Sequence, residues 1–255
     1  YTIRITTAET DTFKAASSTM EFEIQPKEIT ISDVKVADKT YDGTTEAKIT
    51  NEGTLSDNYD GDNLTIAIGS AAYDNKNVGT DKTVTFTGFA LAGDAAANYE
   101  LVAQPADTTA DITAKGITIV GAAVESSKVY DGTTEVKITN AGTLSDNYDG
   151  ENLTIVTGSA AYDNKNVGTG KTVAFTGFAL AGDAAANYKL IAQPTDTTAD
   201  ITVKEITISG AAVEASRIYD GTTDAKITNA GAPSVNYDGE NLKVAAGKAA
   251  YDNKN

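Results

Sequence analysis

Short runs in which polar and apolar residues alternate fill most of this sequence. Asn63-Leu64-Thr65-Ile66 and Lys82-Thr83-Val84-Thr85-Phe86-Thr87 each show a period of two, which puts successive side chains on opposite faces of a half-buried strand. No window sustains the 3.6-residue period of an amphipathic helix. Turn-forming Asp, Asn and Gly separate the runs. The pattern therefore predicts an all-β chain.

The runs recur. Tyr41-Asp42-Gly43 returns as Tyr130-Asp131-Gly132 and Tyr219-Asp220-Gly221, each copy 89 residues after the last. A second set, Tyr59-Asp60-Gly61, Tyr148-Asp149-Gly150 and Tyr237-Asp238-Gly239, keeps the same offset. Ala72-Tyr73-Asp74-Asn75-Lys76-Asn77 recurs at 161–166 and 250–255, and Gly93-Asp94-Ala95-Ala96-Ala97-Asn98-Tyr99 at 182–188. Such a period is too long for a solenoid unit and suits an independently folding domain. Boundaries fall at Lys27-Glu28-Ile29-Thr30-Ile31 and its counterparts beginning at Lys115 and Lys204. The expected organisation is repeat 1 over 27–114, repeat 2 over 115–203 and a truncated repeat 3 over 204–255. Residues 1–26 read as the closing strands of a different preceding β domain, so the chain is expected to be a piece of a longer one.

Comparison of the copies separates the faces. Leu64, Leu153 and Leu242 stay apolar, as do Ile66, Ile155 and Val244, while Thr65 and Thr154 become Lys243 between them. Glu100 becomes Lys189, and a position that reverses its charge faces water. About seven short strands per repeat, joined by turns, predict tandem immunoglobulin-like antiparallel β-sandwiches.

Composition narrows the chemistry. The 255 residues carry 20 basic and 36 acidic side chains, a net charge of −16. That sign disfavours nucleic acid and anionic lipid surfaces as partners. No apolar run reaches the ~20 residues of a membrane span, and the first residues lack the layout of a signal peptide. With no His and no Cys, a Ser-His-Asp triad, a thiol nucleophile and an ordinary zinc site are all ruled out. Carboxylate-pair glycoside hydrolysis needs neither residue, but small duplicated sandwiches leave little room for its cleft. The chain is read as no enzyme, with no catalytic, cofactor-binding or metal-binding residue assigned.

Three features are candidate sites. Eleven of the 12 tyrosines, all but Tyr1, sit at repeat-equivalent positions. They either fill a small Ala-rich core or bind sugars or proteins, and the core reading is preferred because large aromatics dominate core energetics. Tyr99 resembles a tyrosine corner. Asp57, Asp60 and Asp62, with Asp146, Asp149 and Glu151 in repeat 2 and only Asp238 and Glu240 in repeat 3, form acidic loops. These are read as solvated turns, with a weak, module-dependent Ca²⁺ site as the alternative. Lys48, Lys137 and Lys226 share one register and Asn98 and Asn187 another, so a Lys–Asn crosslink is conceivable, although solvated lysine is the default.

The doubled Tyr-Asp-Gly, the Gly-Asp-Ala-Ala-Ala-Asn-Tyr stretch and the closing Ala-Asp-Ile-Thr strand resemble the YDG-type repeat domains of large bacterial surface and adhesin-like proteins. Residues 1–26 look like the tail of a related, mostly-β (MBG-like) module. The resemblance implies an extracellular location, at the cell surface or cell wall, and supplies no ligand and no catalytic residue. The leading expectation is a non-catalytic stalk that projects a distal domain. The alternatives are weak multivalent binding of host glycans or surface proteins, or accessory modules of a secreted multidomain enzyme. Exposure of Tyr59 and Tyr148 would favour binding; their burial would favour the stalk.

Overall fold

The alternation is realised residue by residue. In the strand Gly79–Thr87, Val84 and Phe86 are buried while Thr83, Thr85 and Thr87 face solvent. Thr65, Thr154 and Lys243 are exposed and Ile66, Ile155 and Val244 half-buried, as the comparison of copies predicts. The computed structural model describes residues 1–59, 61–148, 150–237 and 239–253. Among these the chain is all-β, interrupted only by two 3₁₀ turns, Ala96–Asn98 and Ala185–Asn187.

Each complete repeat is built on a five-stranded sheet. In repeat 1 its order is Lys39–Thr40, Thr108–Thr113, Gly79–Thr87, Ser70–Tyr73 and Glu46–Ala47. Repeat 2 reproduces that order with Ser127–Val129, Thr197–Thr202, Gly168–Thr176, Ser159–Tyr162 and Glu135–Val136. The central pairings are antiparallel, with Tyr73 opposite Val84 and Ala71 opposite Phe86. The sheets are not wholly antiparallel as expected. Ile112 pairs with Lys39 in parallel, as Ile201 does with Lys128, and Tyr99–Leu101 runs parallel to Lys27–Ile29. Parallel pairing needs a long crossover rather than a hairpin, and each of these pairs joins the start of a repeat to its end.

Short ladders cover the sheet. In repeat 2, Ile119 lies in one core cluster with Tyr162, Val173, Phe175, Phe178 and Ile201, and Val124, Ile138, Leu144 and Ile155 pack against it. Phe86 meets Phe89 edge-on at 5.8 Å, and Phe175 meets Phe178 in the same way. Such pairs add about 0.5–1.5 kcal/mol to the area they bury. Gln104 holds the Phe89 backbone from both sides, accepting from its N–H at 2.8 Å and donating to its carbonyl at 3.0 Å. Gly69 lies where a Cβ would stand 2.0 Å from the Thr87 carbonyl oxygen, so no other residue fits there.

The remaining segments are thinner. Thr2–Thr6 and Ser17–Glu21 form an antiparallel hairpin that is exposed along its whole length. Among the described residues repeat 3 forms only strands of two or three residues, and Ile206 and Ile208 are exposed where Ile29 and Ile31 are buried.

Replacing Phe86 by Ala removes a buried ring and should cost about 3–5 kcal/mol. Thr85→Ala, on the opposite face, should stay within about 0.5 kcal/mol. Urea unfolding of the intact chain measures both.

Candidate functional site

The first Tyr-Asp-Gly is a turn closed around an ammonium group. Lys39 Nζ lies 2.8 Å from Asp42 Oδ1 and also donates to the Thr44 carbonyl at 2.9 Å, Thr44 Oγ1 at 3.1 Å and the Glu46 carbonyl at 2.9 Å. The Tyr73 ring lies 5.4 Å away, and the lysine side chain is only 16% exposed. Asp42 Oδ1 accepts from the Thr44 N–H and hydroxyl as well. Gly43 has φ +78°, a left-handed conformation that glycine adopts without strain. Repeat 2 builds the same cap from Lys128, Asp131, Thr133 and Glu135. In repeat 3 the guanidinium of Arg217 takes the place of the ammonium. Burial tends to raise the Asp131 carboxyl, but the bonds from Lys128 and Thr133 outweigh it and hold the group at about 2; Asp42 is held low by the same balance.

The second Tyr-Asp-Gly is tied down by a distant tyrosine. Tyr99 donates from its hydroxyl to Asp62 Oδ2 at 2.6 Å and accepts from the Tyr59 N–H at 3.0 Å. Tyr188 does the same with Glu151 Oε2 at 2.6 Å and the Tyr148 N–H at 3.1 Å. The expected tyrosine corner is thus a clamp on a loop some 40 residues upstream.

Contacts divide the described chain into two compact units. The first takes in Tyr1–Gly116 together with Tyr148–Glu151 and Ala184–Lys189 from repeat 2. Inside it the two Tyr-Asp-Gly motifs meet. The Tyr41 ring packs edge-on against Tyr148 at 5.9 Å and Tyr188 at 5.4 Å, and Tyr41 is 1% exposed. Glu151, whose side chain is 8% exposed, accepts from Lys76 Nζ at 2.8 Å and from the Tyr41 hydroxyl. Asn187 accepts from the Val78 N–H at 2.9 Å and donates to Asn77 at 3.1 Å. Burial pushes Glu151 up, yet the hydrogen bonds from Lys76, Tyr188 and Tyr41 together hold it below the ordinary carboxylate range. Burial and the bond to Glu151 push the Tyr188 phenol up to about 12.

The model of the YDG domain family matches twice, over residues 25–110 and 113–199. The chain belongs to that family. Each match covers the segments that build its repeat's five-stranded sheet apart from the last three residues of Thr108–Thr113 or of Thr197–Thr202, and repeat 3 lies outside both. Neither the curated proteins nor the solved structures give a match to this chain.

Within the YDG repeats the other candidate residues separate. Lys48, Lys137 and Lys226 are exposed; Lys137, its side chain 75% exposed, pairs with Glu125 at 3.4 Å. Asn98 is exposed and the Asn187 amide is engaged with Asn77 and Val78. A crosslink needs a buried lysine against an asparagine, and the structure does not bring Lys48, Lys137 or Lys226 against Asn98 or Asn187. Lys39, Lys82, Lys128 and Lys171 are half-buried, with side chains 8–16% exposed. Lys82 and Lys171 hold the Tyr-Asp-Asn-Lys-Asn turns, Lys82 at 2.7 Å from Asp74 and Lys171 at 2.9 Å from Asp163. The sequence signal for the caps was the basic residue two places before each first Tyr-Asp-Gly, at Lys39, Lys128 and Arg217.

In the acidic loops, Asp57 pairs with Lys27 at 3.1 Å and Asp62 with Tyr99, while Glu151 and Glu240 bond Lys76 and Lys165. Asp60, Asp149 and Asp238 lie outside the described residues. Among the described residues no three His, Cys, Asp or Glu side chains converge as a metal site would require. Tyr59 is 64% exposed, whereas Tyr148 and Tyr237 are half-buried against Tyr41 and Tyr130.

Lys39→Met should destabilise repeat 1 by about 2–3 kcal/mol, because it strands Asp42 and two carbonyls, whereas Lys48→Met should change stability by less than about 0.5 kcal/mol. Chemical denaturation separates the two. The pH dependence follows from the shifts. The contributions of Asp131 and Glu151, both held low in the fold, are present at neutral pH. They are lost on acidification, for Asp131 between 3.8 and about 2. The raised Tyr188 acts oppositely, contributing below pH 10 and losing that contribution as the pH climbs towards about 12. Thermal melts across pH should fall at both extremes, and Tyr188→Phe should flatten the alkaline limb.

Proposed function

We propose that the chain is a non-catalytic repeat region, a stalk or spacer, in a bacterial cell-surface or secreted adhesin-like protein. One observation carries this reading: tyrosines of the two Tyr-Asp-Gly motifs, Tyr41 with Tyr148 and Tyr130 with Tyr237, join one repeat to the next. Tyr41 is buried by Tyr148, Tyr188 and Glu151, and Tyr130 meets Tyr237 edge-on at 5.7 Å. Side chains used in this way hold successive copies together and are withdrawn from a ligand. The nine-residue strand Gly79–Thr87 would extend about 30 Å, so each copy adds a few nanometres of reach. The charge of −16 supports an extended, soluble, self-repelling chain.

We also read each repeat as an immunoglobulin-like sandwich. The five-stranded sheet covered by short ladders supports it; the parallel edge pairs make it a variant of that plan.

Weak multivalent binding of host glycans or proteins is the second reading, and exposed Tyr59 favours it. Against it, Tyr148 and Tyr237 pack on Tyr41 and Tyr130, so exposure at the Tyr59 position is not repeated along the chain, although Tyr219, the third copy of Tyr41, is exposed as well. Small-angle scattering of the intact chain is expected to give an elongated particle, and a compact globule would remove the stalk reading. A glycan array probed with the same chain should stay silent; binding abolished by Tyr59→Ala would replace the spacer with the binding module.

A further inference from the structure

We infer that the acidic residue directly after the second Tyr-Asp-Gly selects which neighbour a repeat accepts at that loop. Glutamate takes the tyrosine and lysine of another YDG repeat, and aspartate does not. This goes beyond the spacer reading and stands whether or not that reading holds.

The position is Asp62 in repeat 1, Glu151 in repeat 2 and Glu240 in repeat 3. Glu151 divides its two oxygens. Oε2 accepts from Tyr188 of its own repeat at 2.6 Å, and Oε1 accepts from Lys76 at 2.8 Å and from the Tyr41 hydroxyl, both in repeat 1. Glu240 likewise reaches back one repeat, to Lys165 at 3.0 Å, while Tyr237 covers Tyr130.

Asp62 bonds Tyr99 of its own repeat at 2.6 Å. The segment before it, 1–26, contains neither Tyr-Asp-Gly nor Tyr-Asp-Asn-Lys-Asn. The residues around it are correspondingly open. Tyr59 is exposed with Lys27 Nζ 4.2 Å from its ring centre, and Asn98 is exposed where Asn187 is buried against Asn77 and Val78.

Geometry explains the difference. Tyr99 and Tyr188 hold the carboxylate at the same distance, 2.6 Å, from within the repeat. Only a longer side chain can satisfy that internal phenol and still present its second oxygen to a neighbour. Aspartate is shorter by one carbon–carbon bond, about 1.5 Å, which is the margin between a charged hydrogen bond and none. The ligand class is thus a second copy of this repeat, recognised by its first Tyr-Asp-Gly tyrosine, the lysine of its Tyr-Asp-Asn-Lys-Asn turn and the backbone N–H that follows that turn.

Hydrogen exchange on the intact 255-residue chain tests this. The Val78 amide, donated to Asn187, reports the joint, and the Val173 amide in the repeat 2 sheet reports that repeat's own fold. Glu151→Asp should speed Val78 exchange roughly tenfold, the effect of losing one charged hydrogen bond, with Val173 unchanged. Lys76→Met should do the same, the double variant should add little to either, and Asp62→Glu should leave Val78 as it was. Unchanged Val78 exchange in Glu151→Asp, or effects of Glu151→Asp and Lys76→Met that simply add, would overturn the assignment. If Glu151→Asp also exposes Val173, Lys76→Met decides alone: faster Val78 exchange upholds the assignment, and no change defeats it.

Discussion

An ammonium group enclosed by a turn is the contact on which each YDG repeat depends. Lys39 and Lys128 each place one Nζ where an aspartate, a threonine hydroxyl and two backbone carbonyls converge. The Thr44 and Thr133 carbonyls lie outside the strands, those of Glu46 and Glu135 belong to edge strands, and each would be costly to leave unpaired beside the core. The cation satisfies them at one point and lies near a core tyrosine, Tyr73 or Tyr162. The turn is thereby set, and with it the direction in which Tyr41 or Tyr130 leaves the sheet edge.

That direction links fold to assembly. Tyr41 donates its N–H to the Thr113 carbonyl at 2.8 Å, which anchors its backbone to the closing strand, while its ring lies against Tyr148 and Tyr188. The covering loop is itself held by Tyr188 and Glu151. One carboxylate therefore serves a repeat's own loop and the preceding repeat together. A core rich in Ala has few large groups, so the phenol rings have to supply both packing area and hydrogen bonds. The compact units follow these contacts, which is why Tyr148–Glu151 and Ala184–Lys189 group with repeat 1.

Much of the fold was legible in the residues. The period of two in Lys82–Thr87 gave the buried Val84 and Phe86 directly, because alternation is a local property of an extended backbone. The exposure of Thr65, Glu100 and Lys189 followed from substitutions among copies. The glycine of the first Tyr-Asp-Gly was readable as a left-handed turn, and Gly43, Gly132 and Gly221 all have positive φ. The parallel edge pairings were not readable, since they join residues more than 70 apart and nothing local encodes strand direction. Lys48 is exposed between two short strands, as a solvated lysine is expected to be, while the enclosed cation is Lys39, because a long flexible side chain can point into a turn or into water from similar sequence surroundings.

By itself, then, the sequence determined the repeat, its all-β character, which face of each strand is wet and which chemistries lack their residues. Each of these rests on local periodicity, on composition or on comparison of one copy with the next. Only the tertiary structure decided what the recurring tyrosines touch. Tyr41, Tyr59, Tyr148 and Tyr188 carry the same side chain, and the local pattern assigns all four to the core alike. Two of them are buried, one is half-buried and one is exposed. The difference comes from residues about 110 positions away that either do or do not pack against them, and such long-range neighbours are set by the folded chain, not by the local pattern.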